Sequence, residues 1–228
     1  MNDLSLVYYS IKSRGMNNVL SILLTVFGIS IAILITQFSN HIQNRLNADG
    51  KNIDIVVGAK GSPLQLILSS VYHVDIPTGN IPYDAVKQII KHPQVKNFVP
   101  LALGDNWKGY RIVGTSYEYL KKYEAELESG RLWEDEFEVL VGSSIKTVIN
   151  QEFSGAHGLL EGGSVHEDTK YKVVGILKKT GTVLDRLILT SVNSVLSSIT
   201  TVWLIFTDAL AGTLPKCDFK CATVVTLD

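Results

Sequence analysis

Few residues in this sequence have the types and spacing that chemistry requires. The turn Gly58-Ala59-Lys60-Gly61-Ser62-Pro63 leads from a strand-like run into a helix start, where exposed backbone N–H groups can hold an anion. It lacks P-loop spacing and a terminal Lys-Ser/Thr pair, so it reads as a tight turn and helix cap. His73 and Asp75 lie near Ser69 and Ser70, but no G-x-S-x-G elbow marks a nucleophile and no base is set by spacing. None of the five histidines forms an i, i+4 ligand pair; His157 and the His166-Glu167-Asp168 group fall in a Gly-rich stretch that reads as a solvated loop. Thr180-Gly181-Thr182 followed by Asp185-Arg186 reads as a loop entering a strand, with the charged pair bridging locally. Cys217 and Cys221, the only two cysteines, match neither a thioredoxin-type nor a zinc spacing and read as unrelated thiols. No catalytic, metal or cofactor site is expected.

The elements that carry these residues begin with a membrane segment. No formally charged residue occurs between Asn17 and Asn40, and Val19 to Thr36 is almost wholly apolar. As a helix that run covers roughly 27 Å, close to the hydrocarbon thickness of a bilayer. It is longer than a secretory signal's apolar region, Gln37-Phe38-Ser39-Asn40-His41 offers no A-x-A-like cleavage site, and no lipoprotein cysteine follows. An uncleaved transmembrane helix is expected over 17–40. Basic residues nearly balance across it (Lys12 and Arg14 against Arg45 and Lys51), so orientation rests on a short N-terminal tail and a long C-terminal domain, which place the N-terminus in the cytoplasm. Ser21, Thr25, Gly28 and Ala32 form a small-residue stripe along the helix, suited to close approach of another helix. Before the span, Leu4, Val7, Tyr8 and Ile11 share one face of an amphipathic segment over 1–16, as in a helix lying on the cytoplasmic membrane surface.

With 228 residues, 46% hydrophobic and 19% charged, the remainder is long and apolar enough to fold around a core. Its 21 basic and 22 acidic residues give a net charge of −1, without the footprint of a nucleic-acid binder. A stalk over 41–51 is expected, broken at Asp49-Gly50, then a domain over 52–206 and an irregular tail over 207–228. Within the domain, strands are predicted near Ile53–Val57, Val95–Leu101, Tyr110–Val113, Glu138–Val141, Lys172–Leu177, Leu187–Thr190 and Thr201–Phe206. Helices are predicted near Pro63–Val71, Tyr83–Lys91, Tyr117–Leu127, Ser143–Asn150 and Val192–Ser198. Asp208 inside Ile199–Leu214 argues for a buried strand and loop there rather than a second span. The alternation indicates an α+β fold: one N-terminal transmembrane helix followed by an extracytoplasmic mixed-sheet domain with βαβ-like units.

A resemblance adds what periodicity does not supply. Thr25-Val26-Phe27-Gly28-Ile29-Ser30-Ile31-Ala32, Val56-Val57-Gly58-Ala59-Lys60-Gly61-Ser62-Pro63, Pro77-Thr78-Gly79-Asn80-Ile81-Pro82, Gly130-Arg131, Val139-Leu140-Val141-Gly142, and Val173 to Leu177 with Thr180-Gly181-Thr182 occur in this order. Together they resemble the first half of a MacB/FtsX/LolC-type ABC transporter permease, over residues 4 to 206. The resemblance implies a permease without chemistry of its own, in the bacterial inner membrane, whose MacB-like periplasmic core domain follows the first span. It implies a separate ABC-type ATPase subunit that binds the ATP, a second permease chain, and a lipid, lipoprotein or peptide substrate outside. On this view the small-residue stripe packs against sister helices and the segment Leu4 to Ile11 lies near the ATPase. Such permeases continue into further spans, so a truncated form is expected. The alternative is a stand-alone membrane-anchored binding or scaffold module.

Overall fold

The computed structural model describes residues 9, 12–77, 79, 81, 90, 91, 93, 95, 97–156, 165–196, 202–207 and 222–226. The chain divides into two compact units, Met1–Leu46 and Asn47–Asp228.

The first unit is dominated by helix α1, Gly15–Gly50, whose last four residues belong to the second unit. It is the one helix among the described residues long and apolar enough to cross a membrane. Its large side chains, Leu20, Leu24, Phe27 and Ile35 among them, are exposed. Thr25, Ser30 and Thr36 each donate their hydroxyl to the carbonyl four residues earlier, at 2.8, 2.7 and 2.9 Å. These bonds satisfy the polar side chains without water, a condition that lipid imposes.

In the second unit the helix closes at Gly50, whose carbonyl accepts from Ile53 N, with Asn52 turning the chain at φ 59°. Strand β1 follows (Ile55–Ala59), then helix α2 (Pro63–Ser70) with proline in its first turn. Next come β2 (Asn97–Trp107), β3 (Tyr110–Thr115), helix α3 (Tyr117–Lys122), β4 (Leu127–Gly130), β5 (Glu138–Val141) and β6 (Glu152–Ala156). After them lie β7 (Val165–Leu177), a short 3-10 turn (Val183–Arg186), β8 (Leu187–Ser191), helix α4 (Val192–Leu196), β9 (Val202–Thr207) and β10 (Ala222–Thr226). The strands make one sheet in the order β10-β1-β9-β2-β3-β8-β5-β7-β4, with β6 bridging β2 and β7. Pairings β3–β8 and β5–β7 are parallel and the others antiparallel. The fold is the expected mixed-sheet α+β domain. Lys108 and Gly109, both at positive φ, make the tight connection between β2 and β3, as two-residue hairpins require.

Both faces of the sheet's centre are covered, because alternate residues of one strand feed different clusters. Leu140 and Leu189 join a core with Leu66 of α2, Tyr119, Leu120 and Tyr123 around α3, and Leu184. Val139, Val141, Ile112 and Ile188 join another with Trp107, Phe153 and Tyr171. This explains the unbroken apolar run of β5, buried at all four positions.

Several expectations are corrected. Ser143–Asn150 is not helical: Gly142 N and Ser144 N donate across to the carbonyls of Leu187 and Asp185, at 2.9 Å each, which ties that backbone to a neighbouring segment. The helix from Tyr117 stops at Lys122, where Glu124 turns at φ 51°, and Leu127–Gly130 pairs with β7 as a strand. Glu152–Ala156 is an additional strand, and His166, Glu167 and Asp168 lie on β7 rather than in a loop. The tail is ordered at Ala222–Thr226, which pairs with β1 over five residues. The apolar stretch from Ile199 contains β9, hydrogen-bonded to β1 and β2, in line with the strand reading. The helix expected over Tyr83–Lys91 falls largely outside the described residues, as do His157, Cys217 and Cys221.

Glycines permit the tightest approaches. A Cβ on Gly142 would overlap the Leu184 carbonyl oxygen, and one on Gly130 (φ +84°) the Val174 carbonyl oxygen. Gly142→Ala is therefore expected to cost about 2 kcal/mol or more, since the obstacle is backbone. Gly109→Ala, with open space but φ +80°, should cost only about 1 kcal/mol of backbone strain. Chemical denaturation followed by tryptophan fluorescence would rank the two.

Candidate functional site

The polar residues that converge most strongly lie where α1 ends. Asp49, in the helix's last turn, is buried. A carboxylate there faces two costs: loss of water, and the negative end of the helix dipole. Arg186, from the 3-10 turn, answers both: its Nη2 reaches Asp49 Oδ2 at 3.4 Å and also donates to the Tyr72 carbonyl at 3.2 Å. Tyr123, just past α3, donates its hydroxyl to the Asp49 carbonyl at 2.6 Å. That bond fills a carbonyl which the helix end leaves without an intrahelical partner.

Arg186 is free to turn this way because Asp185 is occupied elsewhere. Its carboxylate accepts from Thr180 N (2.8 Å), Thr180 Oγ1 (2.9 Å) and Gly181 N (2.9 Å). The local Asp185–Arg186 bridge expected from sequence is thus corrected, the two charges serving different partners.

Around this anchor sit more bases than acids. His73 is buried at φ 52°, its Nε2 3.1 Å from the Tyr119 hydroxyl. Burial, reinforced by Arg111, Arg186 and Lys122, lowers its pKa to about 3 and keeps the ring neutral. Lys122 Nζ lies 3.8 Å from the centre of the Tyr123 ring. Burial brings its amine down to about 7, with Asp49 opposing the shift. Tyr123 and Tyr119 are raised, chiefly by burial, so both hydroxyls stay protonated at neutral pH.

The hydrolase-like grouping does not assemble. Ser69 and Ser70 both donate to the Leu66 carbonyl, at 3.1 and 2.6 Å, and Asp75 accepts from its neighbour Ile76 N at 2.7 Å. Gly58 to Pro63 is a strand-to-helix turn; Ser62 takes the cap position without a side-chain bond, its carbonyl accepting from Leu66 N at 3.0 Å. Ser21, Thr25, Gly28 and Ala32 are all exposed along α1, and space around Gly28 is open. Leu4, Val7, Tyr8 and Ile11 lie outside the described residues.

The profile of the MacB-like periplasmic core domain matches residues 19–213. This chain belongs to that family. No curated protein matches the sequence. Among solved structures, the periplasmic region of MacB from Actinobacillus actinomycetemcomitans is similar at 10% identity and a TM-score of 0.49, covering 79% of this chain and 91% of that one. The extracellular domain of the noncanonic ABC-type transporter YknZ from Gram-positive bacteria is similar at 11% identity and TM-score 0.43, covering 68% and 83%. A domain of a putative permease protein from Porphyromonas gingivalis shares 11% identity at TM-score 0.44, covering 78% and 91%.

In this MacB-like domain the anchor around Asp49 was not visible in sequence, because its partners are far away along the chain. Removing Arg186 alone should be the costly change: Arg186→Met leaves a buried carboxylate without its cation, expected to destabilise by about 3 kcal/mol, while Asp49→Asn added to it recovers much of the loss. Denaturant midpoints of the single and double variants test this.

The His73 environment sets an acid dependence. The unfolded ring takes a proton near 6.5 that the folded ring refuses until about 3. The contribution of His73 to stability is therefore full above 6.5 and falls as pH drops toward 3, by up to about 1.4 kcal/mol per pH unit. Glu138, held at about 2 mainly by its Arg131 hydrogen bond against an ordinary 4.5, adds its own loss only below 4.5. Between 6.5 and 4.5 the slope should flatten in His73→Phe, read by denaturation at stepped pH.

Proposed function

We propose that this chain is the permease component of a MacB/FtsX/LolC-type ABC transporter, passing motion from a cytoplasmic ATPase to a domain outside the membrane. The observation that carries the reading is the continuity of α1 from its apolar run to a last turn pinned by Asp49 and Arg186. A helix that ends in a flexible linker transmits little. One whose final residues are ion-paired and hydrogen-bonded into a sheet domain can pass displacement into it.

On this reading the chain does no chemistry, and ATP is bound by a separate subunit in the cytoplasm. The N-terminus is cytoplasmic, the sheet domain extracytoplasmic, and the membrane the bacterial inner membrane. The stripe Ser21, Thr25, Gly28 and Ala32 supports close packing against other helices, a second permease chain among them. The family match, which takes in both the apolar run and the sheet, supports the assignment. Lipids, lipoproteins or peptides are the substrate classes consistent with it.

The test is purification of the full chain from native membranes in mild detergent, with cross-linking. An ABC-type ATPase should be recovered, and lost when residues 1–14 are removed. Arg186→Met should retain the ATPase but weaken the effect of the extracytoplasmic domain on its rate. Recovery of the chain without any ATPase under cross-linking would sink the proposal in favour of a stand-alone anchored binding module.

A further inference from the structure

Lys122 carries a buried amine at the end of α3. It closes α3 between Tyr119 and Tyr123, and its Nζ is buried with no hydrogen-bond partner among the described residues. Nζ is 3.8 Å from the Tyr123 ring centre and 5.9 Å from that of Tyr119. An ammonium in this place would leave three donors unmet, against which ring faces offer only partial relief. Every element packed here contributes a titratable or charged group: Asp49 from the end of α1, Tyr72, His73 and the half-buried Asp75 after α2, Arg111 from β3, Tyr119 and Tyr123 at α3, and Arg186 from the 3-10 turn. Asp49 is the one buried carboxylate of this group, and it is already paired with Arg186.

We propose that Lys122 is a proton-operated release for the last turn of α1: with its amine neutral the turn stays docked, and with its amine charged the turn opens. One ring contact and one electrostatic interaction link the amine to the anchor. The ring beneath it belongs to Tyr123, whose hydroxyl holds the Asp49 carbonyl at 2.6 Å. The carboxylate that a charged amine would seek is that of Asp49, which Arg186 already occupies. Charging Lys122 therefore disturbs both bonds that dock the turn. The lowering of the amine from 10.5 to about 7 agrees with this. The device does not depend on the transport role and goes beyond it.

The sign follows from linkage. An opened turn gives Lys122 an ordinary amine near 10.5, while the docked turn holds it near 7. Opening is then least favoured above 10.5, rises by up to about tenfold per pH unit as pH falls toward 7, and levels off below. The experiment is hydrogen exchange of the Asn47–Ile53 amides in the full chain in detergent micelles, stepped from about pH 9 to 6 and corrected for intrinsic rates. Protection should fall toward pH 7 and then flatten; Lys122→Met should remove the dependence, and Lys122→Arg should keep the turn open throughout. A wild type without the slope, or a Lys122→Met variant that retains it, overturns the proposal. Should the variants fail to fold, the unaltered chain decides: loss of Asn47–Ile53 protection over the pH range in which the NMR shift of the Lys122 ε-methylene titrates upholds the release, and a midpoint near 10.5, or titration without loss of protection, overturns it.

Discussion

A buried carboxylate at the wrong end of a helix is the constraint around which this domain is arranged. Asp49 stands at the negative pole of α1, out of water, where an apolar residue would cost less. The docked turn supplies that charge with a cation, Arg186 at 3.4 Å. The groups that satisfy it come from far along the chain. Arg186 is 137 residues away, and Tyr123 is 74. Tyr72, whose carbonyl also takes Arg186, is 114 residues from that arginine. Hence the docked helix end depends on the 3-10 turn, the residues after α2 and the end of α3 together. The Thr180–Thr182 loop belongs to the same chain of dependence, since by occupying Asp185 it leaves Arg186 for Asp49.

The segments that carry the family resemblance do a different job. Gly130, Gly142 and Gly175 each let backbone approach where a Cβ would collide. Arg131, next to the first of them, forks onto Glu138 at the start of β5, its Nη1 donating to Glu138 Oε2 at 2.7 Å. Gly130, Gly175 and Arg131 close β4, β5 and β7 against one another and Gly142 admits the 3-10 turn, so the shared pattern is a signature of how the sheet packs. A pattern of this kind identifies a scaffold, which agrees with an ordered series of motifs in which none supplies a nucleophile or ligand set.

This division explains what could be read from the sequence. The long apolar run and the β-branched strands were legible because their signals are local; Glu138–Val141 emerges with the predicted limits, and Tyr110, Leu187 and Pro63 begin elements as expected. Leu127–Gly130 escaped because its sequence, Leu-Glu-Ser-Gly, is polar and largely exposed, and only pairing with β7 makes it a strand. Ser143–Asn150 misled because its apolar spacing suits a helix, while β8 and the 3-10 turn hold its first backbone groups. The anchor had no local signal at all. Asp49-Gly50 looked like a break in a stalk, and Asp185-Arg186 like a surface pair.

The charge balance at the anchor carries the last step. Arg186 and Arg111 are cations, and Asp49 is the one carboxylate buried among them. That arrangement holds only if the remaining bases, His73 and Lys122, give up their protons, as their lowered pKa values indicate. Their neutrality is a condition of the packing rather than a by-product of it: a third or fourth cation would add to two arginines, and the other carboxylate acting on Arg111, that of Asp75, is only half-buried.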